Sequence, residues 1–226
     1  MNSSQFKLLL VIQIITLFLV GALFFKTSTN NTGGKPFGNA TEKGATAHGK
    51  ITVAAGNNFV YGKPEAKNEL IVITRYNCGF CRDFYNLAFD SLMNKYVNTG
   101  KLKIIFIDNV STDDKKGMLM AKVAEAAHQL NVYETVQASL YNGNQPQDST
   151  EIIERAIAGG LSKVQLSEKL SKPDLIQNIL NDNKEVDRLH ITGTPTFVIN
   201  GNVVVGFKGY NEFMGQIEQL MKPCLL

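Results

Sequence analysis

The feature that most restricts the fold is a cysteine pair set where a buried strand gives way to a helix. Glu69-Leu-Ile-Val-Ile-Thr74 is an apolar, β-branched run without alternation, the pattern of a central strand covered on both faces. Cys78-Gly79-Phe80-Cys81 follows it. From Cys81 to Tyr96 the apolar residues Phe84, Leu87, Ala88, Leu92 and Tyr96 recur at three and four, as on one helix face. Asn98-Thr99-Gly100 closes that helix with a left-handed cap. Lys101 to Asp108, apolar at Leu102, Ile104, Ile105, Phe106 and Ile107, reads as a second strand. Strand, helix and strand in this order imply a parallel pair joined by a right-handed crossover.

The elements around this unit define the rest of the architecture. Ile51–Val53 and Asn58–Tyr61 read as short strands or edge segments, and Gly62-Lys63-Pro64 as a turn. Between Thr112 and Leu189 strand signals vanish, and helical patterns run over 113–130, 131–141, 149–158, 162–170 and 173–190. Gly143, Gly159-Gly160 and Pro173 break them, and Asp148, Ser149 and Thr150 are cap candidates. Thr196–Asn200, an Asn200-Gly201 turn and Asn202–Gly206 then form a hairpin, with a last helix over 210–221. The fold class is therefore α/β: a small mixed sheet covered by helices, interrupted by a helical insertion at about 112–190.

The N-terminus sets the compartment. Leu8 to Phe25 is almost wholly apolar, broken only by Gln13, Thr16 and Gly21, and closed by Lys26. As a helix it reaches about 27 Å, near the thickness of a hydrocarbon core. A secretory signal core is shorter, about 7–15 residues, and ends in a small-x-small cleavage site that is not evident after Phe25. Residues 1–26 thus read as a signal-anchor transmembrane helix, with a cleaved long signal peptide as the alternative. Lys7 and the terminal amine favour an inside N-terminus and a domain outside. Residues 27–57 form a Gly-, Asn- and Thr-rich linker and edge segment, and 58–226 the domain. The expected location is a bacterial inner membrane, single-pass, with the domain in the periplasm or extracytoplasmic space. A net charge of +3 without a lysine or arginine run argues against nucleic acid as a partner.

The chemistry follows from the motif. Cys78 falls at the helix N-cap region and Cys81 in its first turn, close enough to bridge. A thiolate there meets the positive end of the helix dipole and unpaired N–H groups, which lower its pKa. One thiolate attacks a substrate disulfide and the second cysteine resolves the mixed disulfide. Cys78, the more exposed, is the natural nucleophile, and Cys81 the resolver. Two other readings compete. A zinc site would need a second Cys-x-x-Cys or paired histidines, whereas His48, His128 and His190 are scattered. A structural disulfide over so short a loop would add little stability. Cys224, two residues from the end, reads as a free thiol without a catalytic role.

Gly193-Thr194-Pro195-Thr196-Phe197 is the second marker, because a proline entering an apolar strand cannot donate to the sheet. Together, Cys-x-x-Cys after a strand, a helical insertion, and Gly-Thr-Pro-Thr-Phe before a strand–Asn-Gly–strand hairpin resemble the DsbA-like branch of the thioredoxin superfamily. The resemblance covers about Asn58 to Met221. It implies a thioredoxin-like fold, a cis Thr194–Pro195 bond beside the cysteine pair, and a substrate chain that pairs with the backbone of Thr194. It also implies a protein disulfide oxidoreductase that forms or reshuffles disulfides in unfolded or misoxidised secreted proteins. A DsbB-like oxidase or a DsbD-like reductase in the membrane would reset it, and no cofactor beyond the Cys78–Cys81 disulfide is needed. A non-catalytic chaperone or surface protein with a structural disulfide is the alternative.

The chain departs from that family in two ways. The buried acid that many members carry six residues before the first cysteine is replaced by Val72, with Glu69 as a distant substitute. Gly79-Phe80 and Thr194 look more like the DsbC and DsbG isomerases, which dimerise through an N-terminal domain for which residues 27–57 are too short. Arg75 and Arg82 flank the motif, either favouring a thiolate or standing as solvated charges.

Overall fold

The computed structural model describes residues 50–221. The apolar run at 8–25, most of the linker, His48 and Cys224 lie outside the described residues. No helix among the described residues is long and apolar enough to cross a membrane.

A five-stranded mixed sheet forms the centre, in the order β1-β3-β2-β4-β5. β2 (Asn68–Thr74) and β3 (Leu102–Asp108) are parallel and in register from Asn68↔Leu102 to Thr74↔Asp108. β4 (Thr196–Ile199) pairs antiparallel with β2, and β5 (Asn202–Val205) closes the hairpin. β1 is only Val60–Tyr61, antiparallel to β3. The segment expected as a strand at 51–53 lies beside the hairpin without joining the sheet, held by the Ile51 N–H donating to the Gly201 carbonyl (2.9 Å).

Both faces of β2 and β3 are buried, which is why their sequences do not alternate. Leu70, Val72, Leu102, Ile104 and Phe106 pack into the larger core under the active-site helix, and Ile71, Ile73, Ile105 and Ile107 into a second layer closed by Val186. That helix, α1 (residues 79–97), combines α-turns at Gly79–Phe84 and Asp90–Leu92 with wider π-turns at Tyr85–Phe89 and Met93–Val97. The π-turns correct the sequence reading of its face. Each adds a residue to a turn, so Tyr85, Ala88, Phe89 and Leu92 go inward while Leu87 is left 59% exposed.

The insertion consists of α2 (Lys115–Gln129), α3 (Tyr133–Tyr141), α4 (Ser149–Ala158) and α5 (Lys163–Leu170). A 3-10 turn (Pro173–Ile176) leads into α6 (Gln177–Arg188), and α7 (Tyr210–Leu220) ends the domain. Asp114, Asp148 and Ser162 cap α2, α4 and α5 by accepting from the N–H groups of Gly117, Glu151 and Gln165. The helix expected at 173–190 opens as the 3-10 turn, with Pro173 at a first position that tolerates its missing N–H, and continues as α6.

Candidate functional site

Because β2 and β3 run parallel and end together, the loops leaving them meet at one end of the sheet, and β4 begins there. The chain turns after Thr74, and Cys78 becomes the N-cap of α1 with an extended backbone (φ −89°, ψ 127°). Its N–H donates to the Arg75 carbonyl (3.0 Å), and its carbonyl accepts from the Arg82 N–H (3.1 Å). Asn77 is braced from two sides: its side-chain amide donates to Asp114 (2.7 Å) and its carbonyl accepts from Gln145 (2.6 Å). The loop before the motif is thus tied to the insertion.

Across from Cys78, the Thr194–Pro195 bond is cis, and the Cys78 thiol donates to the Thr194 carbonyl (3.4 Å). The two markers, more than a hundred residues apart in sequence, form one site. Gly79 and Phe80 face outward. Nothing lies within 4 Å of a Cβ built on Gly79, and Phe80 is 63% exposed. Thr194 and Cys78 also line a groove of about 620 Å³ that continues over Arg75, Asn109, Asn183 and Lys184.

The two thiols differ sharply. Cys78 is brought down to about 5, chiefly by the hydrogen bond from the Cys81 thiol; partial burial opposes this, while the Thr194 side chain and the N–H groups of Cys81 and Phe80 assist. Cys81 is 1% exposed, and burial pushes its thiol far up, with the hydrogen bond to Cys78 adding to the effect. The Thr74 hydroxyl and the Arg75 backbone N–H partly counter it. The arrangement therefore presents one partly exposed thiolate and holds one protonated thiol behind it.

This asymmetry makes a pH prediction. Alkylation of Cys78 in the reduced chain by iodoacetamide should follow a single titration with its midpoint near pH 5. The depressed pKa also stabilises the reduced fold, fully above the unfolded thiol's range and progressively less as pH falls from about 9 to 5. An alkylation midpoint near 8.5 would show that the cap environment does not stabilise the thiolate.

The flanking arginines have different fates. Arg82 is buried, and its guanidinium donates to the carbonyls of Leu140, Tyr141 and Gly143 at the end of α3. It is a clamp between the active-site helix and the insertion, where a cation meets the negative helix terminus, and not a solvated charge. Arg75 lines the groove, with its Nε unpartnered. Glu69 is far from the cysteines: it pairs with Lys103 (3.0 Å) at the opposite end of the strand. Val72 is buried between Phe106 and Phe197. His128 packs edge-on against Phe59 and Tyr133, and no group of three or more potential ligands among the described residues could hold a metal ion. The sequence reading missed Thr74 and Tyr141, whose hydroxyls are 2.8 Å apart, Thr74 also touching Cys81.

A family model described as thioredoxin matches residues 54–219, and the chain belongs to that family. Disulfide bond formation protein D of Bacillus subtilis is 24% identical over 172 residues, covering 72% of this chain and 77% of the relative. Among solved structures, oxidised BdbD from Bacillus subtilis superposes with a TM-score of 0.65 at 21% identity, covering 74% of this chain and 94% of that one. The α-DsbA1 protein of Wolbachia pipientis superposes with a TM-score of 0.65 at 22% identity, covering 74% and 92%. The fold is thioredoxin-like and matches that of DsbA-like proteins.

Proposed function

We propose that this chain is a protein thiol–disulfide oxidoreductase that donates its Cys78–Cys81 disulfide to reduced secreted proteins. The observation that carries this reading is the asymmetry between a partly exposed, stabilised Cys78 thiolate and a buried Cys81 thiol. Stabilising the reduced form makes the disulfide a stronger oxidant. A substrate thiolate attacks Cys78, Cys81 leaves, and the mixed disulfide is released when a second substrate thiolate attacks the substrate sulfur. The substrate gains a disulfide and the enzyme becomes a dithiol. Thr194 and Pro195 border this exchange, with the backbone of Thr194 offered to an extended substrate segment. The exposed Phe80 adds an apolar contact beside the reacting sulfur. The redox couple is the cysteine pair itself, without metal or organic cofactor. A DsbB-like membrane oxidase would return the pair to its disulfide. The apolar N-terminal segment would hold the domain outside the cytoplasmic membrane, near that partner.

The test is the reduction potential of the Cys78–Cys81 pair, measured by equilibration against glutathione buffers. A value near about −120 mV, typical of a strong oxidant, is expected; a value near about −270 mV would reverse the direction of electron flow. A pair that cannot be reduced without unfolding the domain would leave only a structural disulfide.

A further inference from the structure

The end of the sheet opposite Cys78 carries a concentration of positive charge that disulfide exchange does not use. β2 begins there at Asn68, about 20 Å from its other end at Thr74, and β3 begins beside it. Lys50, Lys63, Lys67, Lys95 and Lys101 are exposed at this end, and Lys103 is half-buried. Their surroundings place them together. The Lys50 side chain lies over Gly201 in the β4–β5 turn, and that of Lys63 lies along Gly100, just before β3. The Lys101 N–H donates to the Tyr96 carbonyl (2.8 Å), which brings the end of α1, with Lys95, to the same face. Lys103 donates to the Pro64 carbonyl (3.3 Å) and pairs with Glu69. Between them is a hollow of about 360 Å³ lined by Lys50, Lys67, Lys103 and Asn200 together with the apolar Ile71 and Val198.

The rest of the domain has the opposite balance. Residues 50–221 hold 18 lysines and arginines against 19 aspartates and glutamates. Six of the cations stand at this end with three acids, Glu65, Glu69 and Glu218, so the remaining residues are acidic on balance. The same face is where the chain leads back toward the N-terminus. Ile51 is bonded to the hairpin turn, and the 23 residues 27–49 separate Lys50 from the end of the apolar segment at Lys26. Fully extended, those residues reach at most about 80 Å. A membrane that holds the apolar segment is therefore always within reach of the lysines.

We propose that this lysine face docks on the anionic phospholipid headgroups of the membrane that holds the N-terminal apolar segment, leaving Cys78 on the far side, toward arriving secreted chains. The hollow offers a headgroup phosphate the ammonium groups of Lys50 and Lys67, and Lys63, Lys95 and Lys101 meet the headgroups around it. Each lysine adds an attraction that dies away within a Debye length, and the tether multiplies the sum by keeping the headgroups at high effective concentration. The acidic remainder of the domain is repelled by the same surface, which fixes the orientation as well as the contact. Such docking is reversible, so the domain can leave the surface to meet a membrane partner.

This docking rests on the anchoring proposed above, and two readouts separate them. The full-length chain is reconstituted into vesicles of phosphatidylcholine alone, or with about 30% phosphatidylglycerol. Flotation reports the anchor. Acylation of lysines by a membrane-impermeant reagent, read residue by residue by mass spectrometry, reports the docked face. Lys50, Lys63, Lys67, Lys95 and Lys101 should react about threefold or more slowly on the anionic vesicles than on the neutral ones, and about 0.5 M salt should abolish the difference. Lys115, Lys163, Lys169 and Lys172 should stay within about twofold under both conditions. Replacing three of the lysines together (Lys50→Glu, Lys63→Glu and Lys101→Glu) should remove the protection of Lys67 and Lys95. It should leave disulfide exchange with a soluble dithiol peptide within about twofold. Equal acylation of the five lysines on both vesicles, in a chain that floats with them, would overturn the proposal while leaving the anchor intact. Protection by soluble polyglutamate and not by the vesicles would assign the face to an acidic protein segment and overturn it as well. Failure to float with either vesicle would refute the anchor, and the docking with it.

Discussion

Replacing Cys78 with serine is expected to reduce disulfide exchange with a reduced, unfolded protein by about a thousandfold or more, to the uncatalysed background. A serine hydroxyl does not ionise at neutral pH and cannot form the mixed disulfide. Cys81 cannot take over, because it is buried against Thr74 and burial holds it as the thiol. Cys81→Ser should behave differently. The partly exposed thiol at Cys78 survives, although without its largest stabilising contact, since the Cys81 thiol contributes most to the depressed pKa. The first attack on a disulfide substrate therefore still occurs, but resolution does not, and a one-to-one covalent adduct accumulates. Turnover with reduced ribonuclease checks Cys78→Ser, and intact mass under non-reducing conditions after mixing Cys81→Ser with scrambled, disulfide-bonded ribonuclease checks the adduct. Activity retained in Cys78→Ser, or no adduct with Cys81→Ser, would contradict these roles.

The fold and the centre of this site were legible in the sequence because both are written locally. The β2 run, the Cys-x-x-Cys and the Asn200-Gly201 turn are each a few consecutive residues whose spacing carries its own physical meaning. Thr194 and Pro195 were legible only through a resemblance, since nothing in their spacing brings a residue at 194 against one at 78. The long-range pairing of β4 with β2 does so. The missed parts depend on register between strands or on a turn of unusual width. Glu69 and Lys103 become neighbours only when β2 and β3 align at Glu69↔Lys103. Leu87 faces solvent because a π-turn displaces the helical pattern by a residue. The sequence left Arg82 between a thiolate-favouring and a solvated charge for a similar reason: its three carbonyl partners belong to residues 140–143, which no local pattern connects to the motif.

Phe84→Ala is expected to produce the largest loss of stability, about 3–5 kcal/mol. Phe84 is 1% exposed, one turn after Cys81, and its ring meets Phe197 (4.8 Å between centroids), Phe213 (5.2 Å) and Phe207 (5.9 Å) in edge contacts. Truncation removes the transfer energy of the ring, leaves a cavity among aromatic side chains that cannot collapse into it, and forfeits the ring–ring contacts. At about 2–4 °C per kcal/mol for a domain of this size, the melting temperature should fall by about 6–20 °C. Phe84→Leu refills most of the volume and should cost about 1–1.5 kcal/mol. The site should register the same change. Phe84 is the contact that seats the first turn of α1 on β4, and β4 begins just after the Thr194–Pro195 bond that faces Cys78. Loosening this seat weakens the Thr194 contribution to the thiolate, so the alkylation midpoint of Cys78 should rise in Phe84→Ala and move less in Phe84→Leu. Thermal melts and alkylation titrations on the same reduced samples test both. A full loss of stability with an unmoved midpoint would show that the thiolate depends on the α1 cap alone and not on how α1 sits against β4.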